Sequence, residues 1–195
     1  MFPTREAVSR RPAVAADSLG RMAAERSTRD RLLDAFETIL VASGMRAATL
    51  DAVAAEASVS KGGLLYHFHS KDELVDGMLG RLREQGATDV ERMRTAKKGP
   101  VEYYLTTSVD SGSAFDRALI AAARIAQEND ERAAHALADL RDGWFAVLRE
   151  HLGDEPLART IQLIGDGLYF DDTTGLRDRR ALSHVRDVLR RLDVL

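Results

Sequence analysis

The chain has 195 residues, a formal net charge of −3 at pH 7 and no cysteine. Its lack of cysteine excludes disulfides and thiol chemistry and favours a reducing, cytoplasmic setting. A negative balance argues against a bulk nucleic-acid binder, although a small basic surface can be carried by an acidic protein. No apolar run approaches the roughly 18–20 residues of a membrane span, so no membrane partner is expected.

The first 26 residues lack helical periodicity and contain Pro3, Pro12 and scattered arginines. They also lack the apolar core of an export signal. Two interpretations remain open. The segment could be a flexible tail, or a start placed too early with Met22 as the true initiator. It could instead be a basic arm that reaches the minor groove of DNA.

Residues 27 to 43 are predicted to form an amphipathic helix. Ser27 is a suitable amino-terminal cap, and Gly44 is expected to end the helix in the left-handed conformation. The apolar side chains fall on one stripe that should pack behind the next two helices: Leu32, Leu33, Phe36, Ile39 and Leu40.

Residues 49 to 68 are predicted to form two short helices joined by a tight turn. Thr49 caps the first, at about 49–57, and Ser60 caps the second, at about 61–68. This arrangement is a helix-turn-helix, whose second helix can lie in the DNA major groove. Gly62 and Gly63 weaken a helix, which makes sense if the backbone must approach another surface closely.

A long helix is predicted from Lys71 to about Arg94, begun by a capping box of Ser70 and Glu73. The positive charge of Lys71 opposes the helix dipole at that position, and an external phosphate would explain it. The helix is long enough to connect the helix-turn-helix to a second body.

Five further helices are predicted at about 100–110, 114–127, 131–152, 155–171 and 177–192. No strand pattern is found, so the expected fold class is all-α. The last two helices carry apolar stripes of the kind that pair helices. The two stripes consist of these residues: Leu157, Ile161, Ile164, Leu168, Leu182, Val185, Leu189 and Leu192.

The segment SKGGLLYHFHSKDEL, residues 60 to 74, resembles the signature of TetR-type transcriptional regulators, and the resemblance covers about residues 29 to 82. Two positions depart from the commonest pattern: Leu65 stands where an aromatic is frequent, and His69 where a lysine or proline is frequent. Leu65 could still contact a thymine methyl. The resemblance implies that five residues contact DNA phosphates: Thr49, Ser60, Tyr66, His67 and Lys71. It also implies that three residues approach the bases or the DNA backbone closely: Lys61, Gly62 and Gly63.

By the same resemblance, residues 27–75 would be a three-helix DNA-binding domain, joined by the long helix to a ligand-binding and dimerisation bundle at 76–195. The apolar stripes of the last two helices would then be the dimer interface, pairing with those of a second subunit, which implies a homodimer on a near-palindromic operator. The expected function is a repressor released by an unknown small molecule. Two alternatives are a DNA-architecture protein without a ligand and a small helical enzyme.

A small-molecule pocket is expected among the carboxy-terminal helices, since bundles can bind ligands between helices. Trp144 is the first candidate, because a large aromatic with an N–H suits an apolar ligand with a polar end. The commoner role for each candidate is ordinary core packing or, for Tyr169, a place in the dimer seam. The candidates are Tyr103, Tyr104, Phe115, Arg124, His135, Trp144 and Tyr169.

Catalytic and metal motifs are weak. Residues 58 to 61 match the S-x-x-K pattern of penicillin-recognising serine enzymes, but those folds mix helix with sheet. His67 and His69 point in different directions on a helix, and no cysteine completes a metal site. No glycine-rich phosphate loop is found. The sequence therefore predicts no enzyme, no metal and no cofactor.

Overall fold

The computed structural model describes residues 27–176 and 178–195, so the predicted amino-terminal arm lies outside the described residues. Within these ranges every regular element is an α-helix, which confirms the all-α fold class. The helices are α1 (Thr28–Ser43), α2 (Leu50–Glu56), α3 (Lys61–His67), α4 (Lys71–Arg94), α5 (Pro100–Thr107), α6 (Ala114–Ala126), α7 (Glu131–Leu152), α8 (Glu155–Thr174) and α9 (Ala181–Arg191).

Helix ends differ from prediction mainly near the carboxy terminus. Helix α8 continues to Thr174 and ends where Gly175 adopts φ +77°. Helix α9 begins only at Ala181, because the preceding residues form a turn in which Asp178 accepts hydrogen bonds from Ala181 and Arg180. Gly44 has φ +76° but ψ 179°, so it ends α1 without the predicted left-handed conformation.

The helix-turn-helix is built on a core shared by α1 to α4. Phe36 and Leu64 are fully buried and Phe68 is 3% exposed, as their spacing predicted. Gly77 lets α4 approach this core, since a Cβ added there would lie 2.8 Å from Cε1 of Phe68. This close contact fixes where the long helix leaves the unit formed by α1, α2 and α3, which we call the reading head.

This first core does not stop at the predicted domain boundary between residues 75 and 76. It continues into the faces of α6 and α7 through small side chains such as Ala118, Ala122 and Ala133. Small residues allow close helix packing, so α6 lies directly against α1. The division into domains remains a prediction, but the reading head and the bundle share one hydrophobic core.

A second core lies among the carboxy-terminal halves of the long helices. Met93 at the end of α4 packs with Leu105, Leu148 and Ile161. Helix α4 therefore contributes to both cores, as a connector must. None of the described helices combines the length and apolarity needed to cross a membrane.

Three residues of the predicted dimer stripe pack within their own subunit, and the interface itself stays a prediction. Ile161, Leu168 and Leu189 are at most 7% exposed because they pack into the second core of their own subunit. The strongest apolar stripe of an amphipathic helix is covered first by its own subunit. Four others are half-buried against the same core, and Leu192 stays exposed: Leu157, Ile164, Leu182 and Val185.

A different apolar face remains uncovered on α8 and α9. Leu163 and Phe170 on α8 are each 58% exposed, and they lie two turns apart on the same side of the helix. Val188 and Leu192 on α9 are 43% and 63% exposed and are separated by one turn. We call these four residues the exposed apolar face.

Candidate functional site

The starts of α2 and α3 are held by side-chain caps. The Thr49 hydroxyl accepts a hydrogen bond from the Ala52 amide at 3.1 Å, and the Ser60 hydroxyl accepts one from the Gly63 amide at 3.0 Å. Both predicted phosphate ligands therefore already have a structural role. Each hydroxyl still has a proton to donate to an external acceptor.

The turn between α2 and α3 is fixed from α1. Ser58 adopts the left-handed region with φ +53°, and Arg31 donates hydrogen bonds to the carbonyl oxygens of Ala57 and Ser58 at 2.5 and 3.3 Å. A cation at the carboxyl end of α2 also complements its helix dipole. Arg31 thus sets the angle between the two short helices, a role that sequence reasoning missed.

Gly62 and Gly63 have different surroundings. A Cβ added at Gly62 would meet nothing within 4 Å, so this position opens to the outside. A Cβ added at Gly63 would lie 2.9 Å from Cγ1 of Val59, inside the turn. Close approach to an external surface can therefore explain Gly62, whereas Gly63 is required by packing within the motif.

The outer face of α3 presents Lys61, Tyr66 and His67. Tyr66 is 82% exposed, and its ring meets the His67 ring edge-on at 5.1 Å. The Lys61 ammonium lies 2.9 Å from the Asp51 carboxylate, and both side chains are exposed. An exposed ion pair contributes little stability, so Lys61 can exchange Asp51 for another anion. Leu65 is half-buried against the first core, which limits what it can offer to a base.

Lys71 does not require the external phosphate that the sequence suggested. Its half-buried side chain donates a hydrogen bond to the Met45 carbonyl oxygen in the α1–α2 connection. The predicted capping box is also altered. Ser70 accepts from the Glu73 amide, but Glu73 accepts from the amide and ring of His69, which lowers the pKa of Glu73. The ammonium of Lys71 retains further N–H donors for an anion.

A cavity of about 1100 Å³ lies between α4, α5, α6, α7 and α8. His135 is the one candidate outside it: its exposed position is about two and a half helical turns from Trp144, on the opposite side of α7. The other candidates lie together on the cavity wall: Tyr103, Tyr104, Phe115, Arg124, Trp144 and Tyr169.

The wall is organised by two carboxylates that sequence reasoning missed. Asp89 of α4 accepts hydrogen bonds from the Tyr103 hydroxyl at 2.6 Å and from Nε1 of Trp144 at 2.9 Å. Asp166 of α8 accepts from the Tyr104 hydroxyl at 2.9 Å and also pairs with an arginine of α7. Burial and the nearby carboxylates raise the pKa values of both tyrosines, so each remains a neutral hydrogen-bond donor.

The sequence pattern around Asp89 is compatible with both a solvent-facing and a cavity-facing position. Gln85, Asp89 and Arg92 recur at spacings of four and three, which marks one face of α4. A polar face on a long connecting helix reads as solvent-facing surface. Only the packing of α5 and α7 beside α4 turns this face toward the cavity.

Two buried polar atoms at the cavity wall have no hydrogen-bond partner among the described residues. They are the carbonyl oxygen of the Gln85 side chain and the Tyr169 hydroxyl. Burial and the nearby Asp116 carboxylate raise the pKa of Tyr169. Within residues 27–176 and 178–195, no three metal-ligating side chains cluster in a way that could hold an ion.

Comparisons with known proteins agree with this architecture. The family model described as bacterial regulatory proteins of the tetR family matches residues 32–78. A second model, described as a tetracyclin repressor-like carboxy-terminal domain, matches residues 98–193. Together the two matches cover the helix-turn-helix and most of the bundle.

One curated relative is an uncharacterized HTH-type transcriptional regulator, TtgW, of Pseudomonas putida. It is 40% identical over 54 residues, which span 28% of this chain and 40% of the relative. The chain thus matches less than half the length of that relative.

Two solved structures share the fold across most of both chains. A TetR-family member from Streptomyces coelicolor has a TM-score of 0.65 at 21% identity, covering 85% of this chain and 98% of that one. The multidrug binding protein EbrR complexed with imidazole has a TM-score of 0.59 at 22% identity, covering 84% and 93%. From the two family matches and this shared fold, the chain belongs to the TetR family of transcriptional regulators, with a DNA-binding helix-turn-helix.

Proposed function

We propose that the protein is a homodimeric, cytoplasmic repressor that a small molecule releases from a near-palindromic operator. The position of α6 carries this proposal. One face of α6 lines the cavity through Phe115 and Leu119, while its Ala118 and Ala122 pack in the core shared with α1. A ligand that displaces α6 therefore displaces the helix on which the reading head is built.

Each subunit would place α3 in a major groove, with reading helices about 34–36 Å apart across the two-fold axis. Tyr66 and His67 would contact phosphates, because they are the polar groups that α3 presents outward. Thr49, Ser60 and Lys71 would add phosphate contacts with the donors left free by their structural bonds. Lys61 would read bases beside the open backbone at Gly62.

The dimer would form through the exposed apolar face on α8 and α9. Large apolar side chains exposed at helical spacing mark interaction surfaces. Leu163 and Phe170 flank Gly167, where a Cβ would meet nothing within 4 Å, so a partner backbone could approach closely. A two-fold contact uses the same residues on both subunits. We therefore propose these residues in place of Ile161, Leu168 and Leu189.

The cavity favours ligand control over a purely architectural role. A sealed bundle would have supported a DNA-architecture protein, whereas about 1100 Å³ accommodates a drug-sized molecule. EbrR, which has a similar fold, is described as a multidrug binding protein. No specific observation favours the enzymatic alternative.

Ligand release requires two conformations that bind the ligand unequally. A compound that prefers the conformation with mis-spaced reading heads shifts the equilibrium away from DNA. A shift from 1:99 to 99:1 needs about 10⁴-fold preference. The shared core of α1, α4 and α6 is suited to this, since packed helices move together rather than deform gradually.

Selection of bound duplexes from a random pool, using the full chain, tests the proposal. The expected result is a near-palindromic site occupied by two subunits in sedimentation, and release of that duplex by some members of a small-molecule library. Recovery of no preferred duplex would refute the operator. A single subunit on the selected duplex would refute the dimer.

A further inference from the structure

Among the described acidic residues of the cavity wall, Asp89 is distinguished by two aromatic side-chain donors, while Asp110 is exposed to solvent. Asp166 is paired with Arg141, and Asp116 accepts hydrogen bonds from Ser113 as part of a helix cap. Asp89 accepts hydrogen bonds only from the neutral donors Tyr103 and Trp144, and no ion pair found among the described residues includes it. Its negative charge is therefore oriented but not neutralised by a partner cation.

The side chains around Asp89 are aromatic. Trp144 donates to it, and the Tyr104 and Phe115 rings lie 5.7 and 6.3 Å from the Trp144 ring. Aromatic faces attract cations through the ring quadrupole, and tryptophan does so most strongly. A carboxylate set among such rings is complementary to a positive charge on an apolar body.

Gln85 adds a second requirement. It lies four residues before Asp89 on α4, hence one turn away on the same face, and it lines the cavity. Its side-chain carbonyl oxygen is buried and accepts no hydrogen bond from the described residues. A ligand with N–H donors could satisfy this oxygen, whereas a quaternary ammonium could not.

The basic residues of the cavity do not cancel this preference. Arg141 is engaged by Asp166, and Arg92 and Arg124 are exposed, where water screens their charge. An anionic ligand deep in the cavity would be placed beside Asp89 without a desolvated cation to offset the repulsion.

We propose that the cavity binds an organic cation with N–H donors, a protonated amine or amidine on an aromatic body, with Asp89 as its counter-ion. This inference rests on the proposed effector role of the cavity and assigns the chemical class of that effector. Trp144 and Tyr104 would contact the apolar body, and Gln85 would accept an N–H.

The first test compares near-isosteric probes on the full chain. Dibenzylammonium and dibenzyl ether share one skeleton and differ chiefly in charge, while diphenylacetate supplies an anion with two phenyl rings and a different shape. Trp144 is the sole tryptophan of the chain, so its fluorescence reports binding beside Asp89 directly. We expect dibenzylammonium to bind about tenfold or more tightly than the ether, as for a charge-assisted hydrogen bond. Diphenylacetate should bind most weakly.

The second test is Asp89→Asn, which keeps the side-chain volume and an acceptor oxygen but removes the charge. Calorimetric titration should show about tenfold weaker dibenzylammonium binding, with ether binding changed less than about twofold. Asp142→Asn is the matched control, because Asp142 is exposed on α7 and lies outside the cavity wall. It should leave both affinities unchanged.

Equal or tighter binding of the ether or of diphenylacetate by the native chain would overturn the inference, as would failure of dibenzylammonium to bind at millimolar concentration. Native affinity for dibenzylammonium in Asp89→Asn would also overturn it. If Asp89→Asn does not fold, the comparison of probes on the native chain decides alone. Release of the selected operator by a neutral or anionic compound only would refute the cation and leave the repressor role intact. Loss of all duplex binding would refute the repressor and leave the probe titrations readable.

Discussion

The Glu37 carboxylate of α1 lies 2.6 Å from the Arg81 guanidinium of α4, and Glu37 is fully buried. Arg117 of α6 approaches the same carboxylate at 3.6 Å. Arg81 also pairs with Asp34 of α1 at 2.9 Å. One buried charge thus joins the reading head, the connecting helix and the helix that lines the cavity.

Glu37→Ala should lower the free energy of unfolding by about 1–3 kcal/mol, because it removes the fully buried acceptor of the Arg81 guanidinium while Asp34 still pairs with Arg81. Chemical denaturation followed by circular dichroism measures this change. Glu91→Gln, which removes an exposed pair with Arg94, should change the stability by less than about 0.5 kcal/mol. Equal effects of the two variants would mean that the buried network is energetically unimportant.

Glu37 should change how the free energy of unfolding depends on pH, and the direction of that change follows from its shifted pKa. Burial raises the pKa of Glu37 above its ordinary 4.5, against the opposing effect of Arg81. The folded state therefore holds this proton more tightly than the unfolded state does. The proton-linked part of its contribution to stability is fully present below about pH 4.5 and is lost as the pH rises through the raised folded pKa, whereas the ion pair with Arg81 persists above that pKa. The stability difference between the native chain and Glu37→Gln should fall as the pH increases.

Glu102 should affect the pH dependence of stability in the opposite direction. Although burial opposes the effect, the Arg186 guanidinium at 2.5 Å lowers the pKa of Glu102. Its contribution is present above about pH 4.5 and is lost as the pH falls through the lowered folded pKa. Thermal melts of the native chain and Glu102→Gln should converge in acid. Parallel pH profiles for the Glu37 and Glu102 variants would contradict both assignments.

Adjacent glycines of α3 should respond oppositely to alanine. Gly62→Ala adds a Cβ to open space and should stabilise the fold by about 0.5–1 kcal/mol. Gly63→Ala forces Val59 to shift and should destabilise by about 1–3 kcal/mol. If α3 approaches DNA at Gly62, the more stable variant should bind the selected operator less tightly. Melting temperatures and operator titrations on the same samples separate the two effects.

Tyr66→Phe should weaken DNA binding without affecting folding, because Tyr66 is 82% exposed. Loss of a hydrogen bond to a charged phosphate is worth about 1.5 kcal/mol or more, roughly tenfold in affinity. Phosphate contacts carry no sequence information, so specific and non-specific duplexes should be affected alike. A loss confined to the selected operator would make Tyr66 a base-reading residue.

Leu163→Glu should separate the dimer while the subunit stays folded, since Leu163 is 58% exposed on α8. Sedimentation velocity measures the assembly and circular dichroism the fold. Ala87→Glu on the exposed side of α4 is the matched control and should remain dimeric. Leu189→Glu should unfold the carboxy-terminal bundle, because Leu189 is 3% exposed within its own subunit. An intact dimer in folded Leu163→Glu would place the interface elsewhere.

Local chemistry made much of the fold predictable. Thr49 and Ser60 begin their helices as capping residues should, and the ends of α4 and α7 agree with prediction. These features depend on interactions between residues within a few positions of one another. The pattern of residues 60 to 74 also predicted the TetR family, and the two family matches confirm it.

Contacts between distant residues were not predictable in the same way. Lys71 binds the Met45 carbonyl, and Asp89 meets Trp144 across 55 positions. The same limit applies to the predicted dimer stripe: apolar periodicity indicates that Leu189 faces a neighbour, but only the packing shows that this neighbour lies in the same subunit.

By itself, the sequence determined where the helices lie, which faces are apolar and that a helix-turn-helix is present, because these follow from short-range hydrogen bonding and periodicity. Only the tertiary structure decided that Glu37 links three helices, that Asp89 faces a cavity and that Leu163 remains uncovered. Those outcomes depend on how helices distant in the chain are packed, and packing is a property of the whole chain rather than of any segment.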